Sequence, residues 1–385
     1  MTNSLNRAIF TYRIICAGLI AGILFSIPLW LSDRLLPLVP VYKQINILPA
    51  PFDKILLGIL LLSLLFGLIG KYIRQTTILT SIILILFVLS DQLRWQPWVY
   101  QFGLMLIPFI FLSTETRAKT LINIQMLLII SIYLWTGIHK LQPQFILYVS
   151  NPIFKNLFYF NKDLINNVKE LGYLIPFFEI LTGLLLIYFK TRKAGFFLLL
   201  FSHLFILYYL SPLGINFNSV VWPWNASMIL FGSILFYNNT DLVINFDIIK
   251  KNILLYIFFG FVCVLMPLLG IKKKWDHYLS FNIYSGNPNE LALIIPENVN
   301  KIPIKLSEYI VDGVLVNENK VLNLNRWCMF ELNVPIPPQQ RIYTNLAQQV
   351  STKYNFEGIL LIRELKNGNI IMNRKAFTKA GKTLP

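Results

Sequence analysis

The sequence YLWTGIHKLQPQF, residues Tyr133–Phe145, joins the end of a long apolar run to a polar segment. If the run is helical, Tyr133, Gly137 and Lys140 lie on one face, because residues three and four apart are neighbours on a helix. An aromatic ring, a small residue that lets another backbone approach and an amine on one face are suited to form a pocket wall. The simpler interpretation is that Lys140 marks a membrane boundary, with its alkyl chain in lipid and its ammonium group in water. Both interpretations make the run a membrane helix, and the rest of the chain is interpreted from that starting point.

The composition of the whole chain is typical of an integral membrane protein. Of its 385 residues, 56% are hydrophobic and 14% are charged, whereas soluble domains have about 45–50% and about 25%. The formal net charge is +16, which in a soluble protein would suggest nucleic-acid binding. Here positive loops that flank apolar spans explain most of it, so we predict no nucleic-acid partner. The three cysteines are far apart, and the sequence contains neither HExxH nor CxxC, so we predict no metal site.

Nine apolar runs predict the fold class, an all-α polytopic membrane helical bundle of about nine spans over residues 1–274. The runs are Ala8–Leu31, Ile55–Gly70, Thr77–Ser90, Pro97–Leu112, Leu121–Gly137, Leu171–Phe189, Ala194–Leu210, Val220–Phe236 and Ile253–Ile271. Several are shorter than the roughly 20 residues of a straight span, but their flanks can lengthen them. Their continuous apolar character excludes barrel strands, in which apolar and polar residues alternate.

Lysines and arginines in the short loops predict the orientation. They follow the second, fourth and sixth runs, for example at Lys71, Arg117 and Lys190, whereas residues 211–219 contain none. This bias places the N-terminus on the cytoplasmic side of the membrane, which we expect to be a bacterial inner membrane. Nine spans then place the C-terminal segment in the periplasm. Lys272–Lys274, directly after the last run, favour the opposite side, and a span count that differs by one would account for them.

Residues 275–385 have a mixed composition, and we predict a small soluble α+β domain that offers a surface for a protein partner. The predicted elements are strands at Leu279–Tyr284, Glu290–Ile295 and Met329–Val334, a helix at Gln339–Tyr354, and a hairpin of Gly358–Glu364 and Asn369–Arg374. The helix is predicted because apolar residues recur on one face. The hairpin is predicted because Asn367-Gly368 is a favoured tight turn.

Polar residues within or beside the apolar runs are the functional candidates, because ionisable groups are costly inside a bilayer. The first group lies in DQLRWQPWVYQ, Asp91–Gln101, and consists of Asp91, Arg94, Trp95, Trp98 and Tyr100. A functional interpretation makes these residues line a ligand site. The alternative is an interfacial aromatic belt with a capping acid, in which Asp91 and Arg94 pair with each other.

The second group is spread over four later runs, the fifth to the eighth. It consists of His139 beside Lys140, Glu179 in IPFFEILTG, His203, and Trp224 and Asn225 in the WPWN turn that enters the eighth run. A carboxylate in mid-span is expected to pair with a cation or to be neutral. Each residue also has a structural interpretation: a hydrogen bond between helices for Glu179, a satisfied core histidine for His203, and an aromatic belt for Trp224.

The order of these features resembles the HTTM or vitamin K-dependent γ-carboxylase-like membrane family over about Ala8–Ile271. The features are LWTGIHKLQPQF, a later run that contains a histidine, and the WPWN entry. The resemblance implies that Lys140 is the base that starts oxygenation of a vitamin K or menaquinol-like quinol, and that His203 matches a family histidine. The carboxylases have an Asn-His pair that helps to bind glutamate, and Arg94–Tyr100 contains no histidine. The resemblance therefore favours the fold and the pocket location over glutamate carboxylation.

Our preferred hypothesis is a pocket within the membrane that opens to the outer face and binds a lipophilic, quinone-like molecule. Lys140 is then a desolvated amine that acts as a base. The rings of Trp95, Trp98, Tyr133 and Trp224 wall the pocket, and His203 and Asn225 donate hydrogen bonds to the ligand oxygens. The alternative hypothesis is a non-catalytic membrane module that binds lipid or supports a partner complex. A transporter would require a polar path through both halves of the bundle, and the cytoplasmic halves contain few polar candidates.

Overall fold

A computed structural model describes the chain over residues 2–42, 48–157, 171–237, 239–240, 246–286, 290–295, 304–312, 320–355, 357–366 and 369–377. Over these residues the chain is mostly helical, with a small sheet near the C-terminus. Six helices are long and apolar enough to cross a membrane. By length and composition the chain is therefore a multi-pass membrane protein.

All nine predicted runs fall on apolar helices, which we label α1 to α9. They are α1 Thr2–Leu24, α2 Phe52–Ile69, α3 Ile73–Ser90, α4 Pro97–Phe111, α5 Thr114–His139, α6 Leu174–Ile187, α7 Arg192–Leu210, α8 Val221–Leu235 and α9 Ile253–Ile271. Three of them, α4, α6 and α8, are shorter than 18 residues. The first run was predicted to reach Leu31, but α1 ends at Leu24 and a separate turn, Ile27–Trp30, follows with Pro28 in its first turn.

Helix α9 contains a π-helical segment, Phe261–Leu265, just before Pro267. Proline has no N–H, so the carbonyl of Cys263, four residues earlier, loses its usual helical donor. Two side chains of α5 replace that donor: Ser131 Oγ donates to Cys263 O at 2.8 Å and Trp135 Nε1 donates to the same oxygen at 2.7 Å. Satisfying a freed carbonyl from a neighbouring helix is what makes proline tolerable inside a membrane span, and here it fixes α9 against α5.

Five helices pack in a closed ring in which each contacts the next. The order is α5, α6, α7, α8 and α1, and α1 packs again on α5. Helix α5 is the best buried of the candidate spans, with 78% of its apolar window inside the protein, whereas the windows of α2 and α3 are only one-third buried. The stretch Tyr133–Phe145 therefore begins at the C-terminal end of the most buried candidate span.

The chain divides into two compact units. The first consists of residues 1–25, 55–85 and 96–286, and the second of residues 26–54, 86–95 and 287–385. The division predicted at residue 274 follows composition, whereas the units follow packing. Residues 275–286 thus belong with the apolar helices, and two early segments belong with the C-terminal residues.

The C-terminal residues form a five-stranded antiparallel sheet in the order β2-β3-β1-β4-β5. Its strands are β1 Glu290–Ile295, β2 Ile310–Asp312, β3 Lys320–Asn323, β4 Gly358–Lys366 and β5 Asn369–Phe377. The predicted strand Glu290–Ile295 and the predicted hairpin are confirmed. The Asn367-Gly368 turn itself lies outside the described residues.

Two helices, α10 Leu324–Leu332 and α11 Gln340–Tyr354, belong to the same unit as the sheet. Helix α11 confirms the prediction, and its apolar stripe is buried at Ile342, Leu346 and Val350. The predicted strand Met329–Val334 is wrong, because residues up to Leu332 belong to α10, whose N-terminus is capped by the Asn323 side chain. Asn333 then ends the helix in the left-handed region, at φ +55°.

The predicted strand Leu279–Tyr284 is also wrong. Residues Tyr278–Ser280 form a 3-10 turn, and the backbone is left-handed at Phe281 (φ +54°) and at Tyr284 (φ +50°). Short apolar alternation suggested a strand, but positive φ angles at two residues are incompatible with one. This turn packs against α9 within the first unit.

Candidate functional site

Two glycines let α5 and α6 approach closely. A Cβ atom added to Gly137 would lie 2.6 Å from Ile180 Cγ1 and 2.9 Å from both Ile180 N and Pro176 O. A Cβ atom added to Gly183 on α6 would lie 2.7 Å from a side-chain carbon of Leu134. Small residues at a helix interface bring the two backbones together, as is common in membranes. Gly137 thus lets a neighbouring backbone approach, as predicted.

This close approach brings Lys140 and Glu179 together. Lys140 Nζ lies 2.5 Å from Glu179 Oε1, and the side chains are only 11% and 16% exposed. The ammonium nitrogen also lies 5.6 Å from the centre of the Phe145 ring, within the range of a cation–π contact. The second carboxylate oxygen, Glu179 Oε2, is buried and has no hydrogen-bond partner among the described residues. The Glu179 carboxylate therefore pairs with a cation, as expected for a carboxylate in mid-span, but its Oε2 is left to accept a further hydrogen bond.

A second polar cluster links α5, α7 and α8. His203 Nε2 lies 2.6 Å from the Tyr133 hydroxyl, and His203 Nδ1 lies 2.6 Å from Asn225 Oδ1. Asn225 Nδ2 donates to Val221 O at 2.8 Å, so its Oδ1 faces the ring and accepts. His203 Nδ1 must then donate, which leaves Nε2 to accept from the Tyr133 hydroxyl. The cluster fixes one histidine tautomer, and both ring nitrogens are engaged within the protein.

The ion pair and the histidine cluster are close enough to interact electrostatically, Lys140 with His203 and Glu179 with Tyr133. Four helices of the ring thus contribute polar groups to one neighbourhood: α5, α6, α7 and α8. Five of the predicted site residues meet there: Tyr133, Lys140, Glu179, His203 and Asn225. We call this group of five the ring cluster.

Four predicted residues of the first unit have other partners. His139 is buried, and its Nε2 donates to Ser280 O at 3.1 Å. Trp224 Nε1 donates to Gln101 Oε1 at 2.9 Å. Trp98 packs against Gly22, where an added Cβ would lie 2.7 Å from the indole. The Tyr100 hydroxyl faces Leu279 O at 3.5 Å, and its ring lies 6.2 Å from that of Phe281.

The remaining three predicted residues, Asp91, Arg94 and Trp95, belong to the second unit. The structural alternative pairs Asp91 with Arg94, and the structure has that contact at 4.0 Å, but Arg34 is the closer partner of Asp91, at 2.5 Å. The Arg94 guanidinium instead donates to the carbonyls of Leu29, Trp30 and Phe87 and to the Ser90 hydroxyl. Trp95 Nε1 donates to Val88 O at 2.9 Å. These contacts hold two segments of the second unit together.

Sequence reasoning did not single out Arg34, Gln101 or Gly183. Arg34 lies 57 residues before Asp91, and a loop arginine beside an apolar run normally marks orientation, so no local signal identified it as a buried partner. Gln101 had a usable signal, because an amide inside an apolar helix requires partners. It accepts from Trp224 and donates to Met228 Sδ at 3.1 Å.

Comparison with family models, with curated proteins and with solved structures gives no match to this chain.

Proposed function

We propose that this chain is an HTTM-type membrane protein whose nine apolar helices all cross the bilayer, with the ring cluster as the binding site for a lipophilic, quinone-like molecule. The cluster lies at the end of α5 that the predicted orientation assigns to the outer face. The observation on which the proposal depends is the Lys140–Glu179 pair, which is largely buried and has one carboxylate oxygen without a hydrogen-bond partner among the described residues. Its unused groups match one chemical type of ligand, a hydroxyl attached to an apolar ring.

The match follows from counting donors and acceptors. An ammonium group has three N–H donors, and among the described residues Lys140 uses one of them, for Glu179 Oε1. Glu179 Oε2 is an unused acceptor next to it. A ligand hydroxyl both donates and accepts, so it can donate to Glu179 Oε2 and accept from Lys140 Nζ. An apolar ring behind that hydroxyl suits the Phe145 ring and the surrounding apolar helices.

The pair also provides a path for a proton. A quinol, when bound, supplies an acidic hydroxyl. Glu179 Oε2 is placed to take the proton of that hydroxyl, and the ammonium group of Lys140 stabilises the oxygen that loses it. A proton that moves between Lys140 Nζ and Glu179 Oε1 converts ammonium and carboxylate into amine and carboxylic acid, and the pair has no net charge in either form. We therefore assign the base to the pair rather than to Lys140 alone, and we do not propose glutamate carboxylation.

His203 has a different role in this proposal. Because both of its ring nitrogens are engaged, it is not a direct ligand donor in this structure. It holds the Tyr133 hydroxyl in one orientation, and Tyr133 lies on the same face of α5 as Lys140. Asn225 in turn holds His203, so the two residues position the aromatic wall of the site.

The test is equilibrium binding of a menaquinone-type quinone, with consumption of the corresponding quinol under air as a second readout. The protein is purified and reconstituted in lipid nanodiscs. Lys140→Met is expected to weaken binding about tenfold or more, since a hydrogen bond to a charged group contributes about 1.5–3 kcal/mol. Lys155→Met is the matched control, because Lys155 is exposed on the short helix Asn151–Leu157. Native mass spectrometry of gently extracted protein would show whether a quinone or a lipid co-purifies. Equal quinone affinity in the Lys140→Met, Lys155→Met and unmodified proteins would remove the ion pair from the function.

One observation favours the alternative, a non-catalytic membrane module. The side chains of Tyr133, His203 and Asn225 satisfy one another without any ligand. Their hydrogen bonds therefore also serve to fix helices α5, α7 and α8 to one another. Under this alternative the ring cluster is a structural core and the second unit provides the surface for a partner. Purified protein that binds no quinone, yet is destabilised by Lys140→Met, would favour the module.

A further inference from the structure

Helices α10 and α11 of the second unit hold a short non-helical segment, Arg34–Leu36, that follows α1 in the chain. The Glu331 carboxylate on α10 accepts from Leu35 N at 2.6 Å and from Leu36 N at 2.8 Å. Lys353 Nζ on α11 donates to Arg34 O at 2.7 Å and to Leu35 O at 2.9 Å. The Tyr354 hydroxyl adds a second donor to Leu35 O, at 2.8 Å.

All five of these bonds go to main-chain atoms. A carboxylate that bridges two successive N–H groups, beside an ammonium group that bridges two successive carbonyls, recognises peptide backbone and not a particular side chain. The Leu35 side chain itself is half-buried. The site therefore matches the chemistry of a polypeptide main chain and sets no requirement on residue 35.

The Glu331 carboxylate is also held by a group outside the segment. Trp327 Nε1 donates to Glu331 Oε2 at 2.7 Å and so orients the carboxylate. The Trp327 ring stacks on Tyr309 at 5.6 Å and packs against Tyr354 at 5.9 Å. Burial raises the pKa of Tyr354 to about 12, so its hydroxyl stays protonated and continues to donate.

The segment is fixed on its other side as well. The Arg34 side chain is buried against Asp91, and its Nε and Nη1 donate to Leu36 O and Leu29 O at 2.9 Å each. The backbone of the segment is thus recognised by the C-terminal helices, and its one charged side chain is recognised by the segment that follows α3. Both sets of contacts lie within the second unit.

We propose that Glu331, Lys353 and Tyr354 form a peptide-backbone binding site that acts as a latch. Its occupant is Arg34–Leu36 of the same chain, and it holds this segment, which lies between α1 and α2, against the C-terminal helices. The latch is independent of the side chain at residue 35.

The test is residue-resolved hydrogen–deuterium exchange on the full-length protein in nanodiscs. The amides of Leu35 and Leu36 are expected to be protected, and Glu331→Ala should speed their exchange about tenfold or more. Thr352→Ala, at an exposed neighbour of Lys353 on α11, is the matched control and should leave their exchange within about twofold. Leu35→Gln, which keeps the N–H and the carbonyl, should also stay within about twofold, because the main chain alone is recognised.

The strands β4 and β5 report whether a variant has unfolded. If Glu331→Ala raises exchange throughout those strands, the more conservative Glu331→Gln decides, and a rise confined to Leu35 and Leu36 supports the latch. Unchanged exchange at both amides in Glu331→Ala overturns it. So does opening by Leu35→Gln as large as that by Glu331→Ala, or a rise across β4 and β5 in Glu331→Gln.

Discussion

Among the described residues, the fully buried Arg34–Asp91 pair and the largely buried Lys140–Glu179 pair differ in how completely their hydrogen bonds are satisfied. In the second unit both oxygens of Asp91 are used: Oδ2 binds Arg34, and Oδ1 accepts from Val39 N and Leu93 N. In the first unit Glu179 binds Lys140 through Oε1, while Oε2 is buried without a partner among the described residues. In the sequence each was an acid beside or within an apolar run, and the sequence did not show how completely either would be hydrogen-bonded.

This difference distinguishes a structural charge from a candidate site. Burying any charge is costly, and the cost is offset only when a partner and further hydrogen bonds replace water. The Asp91 pair meets that condition entirely from protein groups, so it has no capacity left for a ligand. The Lys140 pair meets it in part, and the missing bond is the capacity that we assign to a ligand hydroxyl.

The largest expected effect is on stability at the complete pair. Asp91→Ala leaves Arg34 and Arg94 buried without their counter-ion, and breaking a buried pair from one side costs about 3–5 kcal/mol. The apparent free energy of unfolding in detergent micelles is expected to fall by that amount. Asp33→Ala is the control, because Asp33 pairs with Lys54 at 2.7 Å but both side chains are about half exposed. Equal stability of the two variants would contradict the structural role of Asp91.

The next largest effect is expected where α5 packs against α6, because that contact sets the geometry of the Lys140–Glu179 pair. Gly137→Ala places a methyl group within 2.9 Å of the backbone at Ile180 and Pro176, so the helices must separate at a cost of about 1–3 kcal/mol. The separation should also lengthen the Lys140–Glu179 contact and weaken quinone binding. Gly103→Ala in α4, where an added Cβ meets nothing within 4 Å, should be neutral or slightly stabilising. Should Gly137→Ala retain both stability and binding, close packing would not be what positions the pair.

The sequence predicted the local features of this protein but not the contacts between distant residues. The apolar runs predicted the nine apolar helices α1 to α9, and the spacing of Tyr133, Gly137 and Lys140 predicted their shared face, because both are local properties. Partners were not predictable, since the pairing of Asp91 with Arg34 joins residues 57 positions apart. The wrong strand at Met329–Val334 has a local cause: six residues are too few to separate a buried helix from a strand without knowing the Asn323 cap.

A half-buried histidine outside the apolar helices makes a smaller, pH-dependent contribution to the free energy of unfolding. Burial lowers the pKa of His277 to about 4 from an ordinary value near 6.5. Between these values the unfolded chain binds more protons than the folded chain, so stability is lost as pH falls. The loss from this one group between pH 7 and pH 5 is expected to be about 1–2 kcal/mol. His277→Gln should reduce this part of the pH dependence of unfolding, and an unaltered pH profile would show that His277 titrates alike in both states.

The most direct test of the central claim, that the incomplete pair binds a ligand and the complete pair only stabilises, is quinone affinity in the double variant Lys140→Met with Glu179→Leu. Replacing both charges with apolar side chains of similar size is often nearly neutral for stability. The free energy of unfolding should therefore change by less than about 1 kcal/mol. Our account predicts that this folded protein loses quinone affinity about tenfold or more relative to the unmodified chain. A stable double variant that binds the quinone as tightly as the unmodified chain would contradict it.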